Sequence, residues 1–190
     1  MSTEALLVEL LCEELPPKAL RRLSEALAEN LHAGLQGAGF VAPAAGTPEV
    51  FATPRRLAVR YPAVSGRQED REVVRKGPSV QAGHDAAGKP TAALAGFARS
   101  CGVALEALER VREGKAEHWA FRARRAGEPL EQHLPGLLAE ALKKLPIPKV
   151  MRWGAGDAQF VRPVHGLVLL HGSRVIPGSV LDVTSGNTTQ

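Results

Sequence analysis

Residues 5–12, Ala-Leu-Leu-Val-Glu-Leu-Leu-Cys, form a nearly continuous apolar run of strand length. Such a run predicts a largely buried strand. Glu13-Glu14 and Pro16-Pro17 follow, and the prolines predict a helix start, with the carboxylates near its positive end. Leu20, Leu23, Leu27, Leu31 and Leu35 then recur at three- and four-residue steps. That spacing puts one apolar stripe on a long amphipathic helix, and Gly37 and Gly39 are expected to end it.

Residues 40–49 read as a Pro/Ala/Gly connector. Alternation over 57–61 and 72–76 predicts two strands, with Ser65-Gly66 as the turn that pairs them and Gly77-Pro78 closing the pair. Residues 82–90 read as a loop. Pro90 opens a second helix with the stripe Leu94, Phe97, Ala98 and Cys101, stopped by Gly102, and a short helical segment is expected near Leu105 and Leu108. Residues 117–124 alternate as a half-buried strand. A third helix is expected over 128–145, either kinked at Pro135 or beginning there, and ended by Pro146 and Pro148. Residues 163–170 and 174–183 complete the pattern as two strands joined at Gly172-Ser173. The fold class is therefore α+β, with antiparallel strands and hairpins packed against about three amphipathic helices.

Composition narrows this reading. The 190 residues are 44% hydrophobic and 23% charged, which is globular and outside the disordered class. Aromatics make up 4%, so Leu, Val and Ala must build the core. The length fits one domain, 1–190, or two lobes with a boundary near 80–90. The net charge of +4 is uneven: residues 1–50 carry 3 basic and 7 acidic side chains, 51–140 carry 15 and 11, and 141–190 carry 6 and 2. An acidic front and a basic remainder suit a polyanion contact on the later part, or else a solvated mixed surface. Cys12 and Cys101 stand far apart with no metal-ligand spacing, so reduced thiols and a cytoplasmic location are expected. The first residues lack the positive region of a secretory leader, and no run approaches the ~20 apolar residues of a membrane span.

Catalytic patterns are missing from the sequence. No Gly-x-Ser-x-Gly elbow, phosphate loop or GxGxxG after a strand occurs. His165 and His171 lack helical ligand spacing, so neither a metal site nor a catalytic residue is expected. Glu13-Glu14 could do acid–base work, but carboxylates at a helix start read first as dipole partners. A helix-turn-helix over 90–110 fails because its second segment is too short to fill a major groove, so no DNA contact is expected. Four basic constellations remain: Thr53-Pro54-Arg55-Arg56; Arg75-Lys76 before Gly77-Pro78; Arg122, Arg124 and Arg125; and Lys143, Lys144, Lys149 and Arg152 around Pro-Ile-Pro beside Trp153. Proline-fixed cations near an aromatic suit a nucleic-acid backbone with base stacking. Equally, Trp153 could belong to the core and the arginines could pair with carboxylates.

Four stretches together resemble the N-terminal part of the beta subunit of bacterial, heterotetrameric glycyl-tRNA synthetase. They are Glu13-Glu-Leu-Pro-Pro-Lys-Ala-Leu20, Ala52-Thr-Pro-Arg-Arg-Leu-Ala58, Lys76-Gly-Pro78, and Leu145-Pro-Ile-Pro-Lys-Val-Met-Arg-Trp-Gly154 continuing through Phe160-Val-Arg-Pro-Val-His165. The resemblance spans essentially the whole chain. It implies a ligase subunit without chemistry of its own in this segment, with ATP and Mg2+ at the alpha subunit. The implied partners are the alpha subunit, tRNA(Gly) and further beta-subunit domains. It also implies an N-terminal fragment of a longer chain. Arg55, Arg56, Lys76, Lys149, Arg152 and Arg162 are the candidate contacts to tRNA or to a partner subunit. Alternatives are a stand-alone RNA-binding module and a purely structural interaction domain. Arginines scattered among carboxylates would favour the interaction domain over the RNA-binding module.

Overall fold

The computed structural model describes residues 3–43, 46–85, 88–113 and 116–189. In chain order its elements begin with β1 (Thr3–Cys12), α1 (Pro17–Gly37), β2 (Glu49–Thr53), β3 (Arg56–Ser65) and β4 (Arg71–Ser79). Next come the short α2 (Val80–Gly83), α3 (Ala92–Cys101), a 3-10 turn (Leu105–Ala107), β5 (Glu109–Glu113) and β6 (Ala116–Arg125). The chain then forms α4 (Leu130–Lys143), β7 (Met151–Arg152), β8 (Gln159–Phe160) and β9 (Val164–His171). It finishes with β10 (Arg174–Val175), β11 (Ser179–Val180) and β12 (Val183–Gly186). The α+β expectation holds. Two compact units result, Met1–Glu69 with Glu128–Gln190, and Asp70–Gly127. Residues 80–90 fall inside the second unit.

The first unit is built on a seven-stranded sheet in the order β11-β12-β9-β1-β3-β2, with β10 also on β9. β1 lies between β3 and β9, both antiparallel, in a register that sets Val8 opposite Val59 and Leu169, and Leu10 opposite Leu57 and Leu167. Side chains alternate across a strand, so these residues share one face. All six are at most 3% exposed. The leucine stripe of α1 joins the same core: Leu23, Leu27, Leu31 and Leu35 are buried, and Leu20 packs partly against it. Burying each such side chain contributes ~1.5–3 kcal/mol before entropy is counted. The buried face of α4, with Leu130, Leu134, Leu138, Ala141 and Leu142, completes this core. Pro135 stands inside α4 rather than at its start.

The second unit is the sheet β4-β6-β5 with α2, α3 and the 3-10 turn. Leu94, Ala98 and Leu108 are its buried centre, with Phe97, Trp119 and Phe121 packed around them. α3 begins at Ala92 with the Thr91 side chain as its cap, and Gly102 ends it in the left-handed region at φ 70°, the stop the sequence predicts. A 3-10 turn and a strand follow α3, so no recognition helix follows.

Three expectations need correction. Strands 57–61 and 72–76 do not form a hairpin: β3 is flanked by β1 and β2, and β4 pairs with β6. Both hydrogen-bonding edges of β3 are already used. Ser65-Gly66 instead lies where the chain leaves the first unit. The strand expected over 174–183 is three short ones, broken at Ile176-Pro177-Gly178 because proline cannot donate to a ladder. Part of the expected connector over 40–49 is strand β2, which opens at Glu49. Residues 44–45 of that connector and 86–87 of the expected loop lie outside the described residues.

Candidate functional site

β2 and β3 form a hairpin closed by Thr53 opposite Arg56, which leaves Pro54-Arg55 as a two-residue turn. Proline fixes φ there and stiffens the presentation of Arg55. The turn is tied down by backbone bonds from Cys12 N–H to the Arg55 carbonyl, 3.0 Å, and from Leu15 N–H to the Pro54 carbonyl, 2.7 Å. The strand leading into β9 is fixed to the same place, since Glu13 N–H donates to the Pro163 carbonyl at 2.9 Å. Three of the four distinctive stretches of the sequence therefore meet at the ends of β1, β3 and β9.

Their side chains interlock there. The Arg55 guanidinium reaches Glu13 Oε2 at 3.5 Å and Glu14 Oε1 at 3.9 Å. Glu13 Oε1 also lies 3.0 Å from His165 Nε2. Arg162 donates from Nε to the Glu14 carbonyl at 2.9 Å. Arg56 Nε stands 3.7 Å from Oε2 of Glu9. Glu9 is only 6% exposed and also accepts from the Thr189 hydroxyl. A cavity of about 500 Å3 opens over this cluster, lined by Cys12, Glu13, Thr53, Arg55, Arg56 and His165 among others.

The cluster has limited chemical means. Glu13 and His165 form a carboxylate–imidazole pair of the kind that orients a general base. The neighbouring thiol is the wrong nucleophile for it: burial first, and then the charge of Glu13, push Cys12 up to about 11. A thiol so held stays protonated at neutral pH and is inert. Glu13 and Glu14 precede α1, whose first turn holds no acidic residue. Their work is therefore to pair with Arg55 and His165 rather than to complement the helix dipole from within it.

The other candidates are placed differently. Lys76 belongs to the second unit, exposed on β4 opposite Ala120. In that unit Arg122 bridges Glu72 at 3.3 Å and Glu109 at 2.9 Å, and Arg124 meets Asp70 at 3.1 Å. The hydrogen bond to Glu72 leads the causes that hold the Arg122 guanidinium above its ordinary value. Arg152 sits on β7 with Asp157 at 3.3 Å, and Lys149 is exposed just before it. Trp153 packs partly buried against the core of the first unit, so the core reading of that ring holds. Among the described residues, no group of three or more His, Cys, Asp and Glu side chains could hold a metal ion, and no helix is long and apolar enough to cross a membrane.

Sequence reasoning missed Glu9, His165 and Thr189 as partners in the cluster. Glu9 carried a usable signal: an acid inside a strand-length apolar run must be paired if it is buried. The partners of His165 and Thr189 are more than 150 residues away in the chain, and no local pattern announces them.

Comparison with known proteins adds a sequence relationship to this geometry. The family model described as glycyl-tRNA synthetase beta subunit matches residues 6–190. Glycine–tRNA ligase beta subunits of Edwardsiella ictaluri, Klebsiella pneumoniae and Escherichia coli O8 are each 48% identical over 185 residues, 97% of this chain. The chain spans 26% of the length of each of these relatives.

Proposed function

The chain belongs to the glycyl-tRNA synthetase beta-subunit family, and from that premise we propose that it serves glycyl-tRNA synthesis by assembling the enzyme. In this reading ATP-dependent attachment of glycine to tRNA(Gly) occurs on the alpha subunit, which holds ATP and Mg2+, in the cytoplasm. This chain contributes no reacting group. It contacts the alpha subunit and the remaining beta-subunit domains.

The observation that carries the assembly reading is the pairing of the basic side chains. Arg55, Arg56, Arg60, Arg122, Arg124, Arg152 and Arg174 each meet a carboxylate of the same chain within 4 Å. Binding a phosphate backbone draws its free energy from cations that displace counterions, and a guanidinium already neutralised by its neighbour contributes little of it. Interleaved charge also suits a protein surface that must meet one partner in one register.

The test offers the chain to purified alpha subunit and, separately, to tRNA(Gly) at salt from ~50 to ~200 mM. The expected result is a saturable complex with the alpha subunit and weak tRNA binding. Tight tRNA binding that falls steeply with salt, with no alpha-subunit complex, would replace this reading with an RNA-binding module.

A further inference from the structure

β1 is largely apolar on both of its faces, and the helices fill only one of them. Alternation puts Leu6, Val8 and Leu10 on one side and Leu7, Glu9 and Leu11 on the other. The first set joins the core that α1 and α4 complete. On the second side, Leu7 stands opposite Arg60 and Leu170, Glu9 opposite Ala58 and Val168, and Leu11 opposite Arg56 and Gly166. Phe51 pairs with Ala58 and Val175 with Leu170, so both belong to this second face.

The second face is apolar and open. Phe51 is 51% exposed and Val175 38%, while Leu7, Leu11 and Leu170 are half-buried. Ala58 and Val168 are buried, yet neither belongs to the core under the helices. Leu11 lies against Gly166, where a Cβ would meet its Cδ1 at 3.1 Å. A sheet face that meets water carries polar residues on it, and a contiguous apolar patch marks an interaction site. The cations of this face are already matched: Arg56 stands 3.7 Å from Glu9, and Arg60 donates to Glu49 at 2.9 Å. A neutral, apolar sheet surface suits a packed protein layer rather than a phosphate backbone.

The chain itself leads onto this face. β12 runs parallel to β9 and sets Gly186 opposite Val168, in the same row as Glu9. Beyond it, Thr188 lines the cavity together with Leu11 and Gly166, and the Thr189 hydroxyl donates to Glu9. Residues 186–189 therefore pass β9 to reach β1 on the apolar side. The enclosed carboxylate of Glu9, at the centre of the row, holds them there. The relatives of this chain are much longer, since it spans 26% of each.

We propose that this face seats the beta-subunit residues that follow position 190 in a full-length subunit, packed as a second apolar layer on Leu7, Leu11, Phe51, Leu170 and Val175. The proposal rests on the assembly reading above for its choice of the remaining beta-subunit domains as partner, and it names the surface that joins them to this chain.

The test uses the full beta subunit with the photoreactive residue benzoylphenylalanine in place of Phe51 or, separately, of Val175. Both side chains are exposed, so the replacements leave the core intact. Each protein is irradiated alone and again with alpha subunit and tRNA(Gly), and the crosslinked peptides are mapped by mass spectrometry. The control carries the same residue in place of Arg21 on α1, whose side chain is 90% exposed. Both test positions should crosslink within one beta chain to residues beyond 190, before alpha subunit is added, and position 21 should not. Crosslinks confined to residues 1–190 overturn the proposal. So do crosslinks only to alpha subunit, to tRNA(Gly) or to a second beta copy, equal crosslinking from position 21, or none at all. Sedimentation of the same samples reads alpha-subunit binding separately. Binding of alpha subunit without crosslinks beyond residue 190 removes this surface alone, whereas those crosslinks without alpha-subunit binding keep the surface and end the assembly reading.

Discussion

Replacing Arg56 with alanine should unfold the first unit far more readily than replacing its neighbour Arg55. Glu9 is 6% exposed and faces Arg56 at 3.7 Å, while the Arg56 side chain is 29% exposed. Removing one partner of a fully buried pair costs ~3–5 kcal/mol because the other charge is stranded, and an exposed pair is worth ~0–1 kcal/mol. This pair is closed at the carboxylate and partly open at the guanidinium, and the Thr189 hydroxyl still serves Glu9. Arg56→Ala should therefore cost ~2–4 kcal/mol. At ~2–4 °C per kcal/mol for a chain of this size, that lowers Tm by roughly 5–15 °C. In Arg55→Ala the side chains involved are 67%, 46% and 75% exposed, and the loss should stay within ~0.5 kcal/mol. Trp119 and Trp153 divide between the two units. Urea unfolding followed at Trp153 in a Trp119→Phe background thus reads the first unit alone. Charge reversal at both arginines, attractive from the sequence as a probe of partner contact, would confound folding with binding through Arg56. If Arg56→Ala kept wild-type stability while the affinity for tRNA(Gly) fell, Arg56 would be serving a ligand and the pairing argument would fail.

Two further outcomes follow from the packing. Gly77→Ala would put a Cβ 2.5–2.8 Å from three ring carbons of Phe97. It should destabilise the second unit by ~1–3 kcal/mol, read at Trp119, with the transition at Trp153 unmoved; equal stability at Trp119 would contradict that packing. Cys12, held protonated by burial, should resist a thiol reagent at pH 8 until denaturant is added, whereas Cys101 reacts in the native protein. Its thiolate forms more easily in the unfolded chain than in the folded one, where the pKa is about 11. Stability from this group is therefore intact below pH ~8.5 and declines as pH rises towards 11. Native-state labelling of Cys12 as fast as Cys101 would show that it is not enclosed.

The elements that carry their own period were legible in the sequence. The leucines of α1 repeat at helical spacing over about four turns, and Gly102 closes α3 where a left-handed residue is needed. Strand partners were not legible, because pairing is decided by distant edges. Ser65-Gly66 has the composition of a hairpin turn, yet β3 is already flanked on both sides. The insertion of the second unit after Glu69 leaves no local trace for the same reason. At the candidate site, the motifs identified Arg55, Arg56 and Arg162 but not what they face. Their partners Glu9, Glu13 and Glu14 come from β1 and the residues just past its C-terminal end, distant in sequence from the motifs, and a charge count cannot distinguish a paired arginine from a free one.

The most direct test of the assembly role compares alpha subunit mixed with the full beta subunit against alpha subunit mixed with a beta subunit lacking residues 1–190. Sedimentation and glycylation of tRNA(Gly) are read on the same samples. The account predicts that the deletion abolishes stable assembly and charging together, while the remaining beta-subunit domains keep their affinity for tRNA(Gly). A deleted subunit that still assembles with the alpha subunit but has lost tRNA(Gly) binding would contradict it.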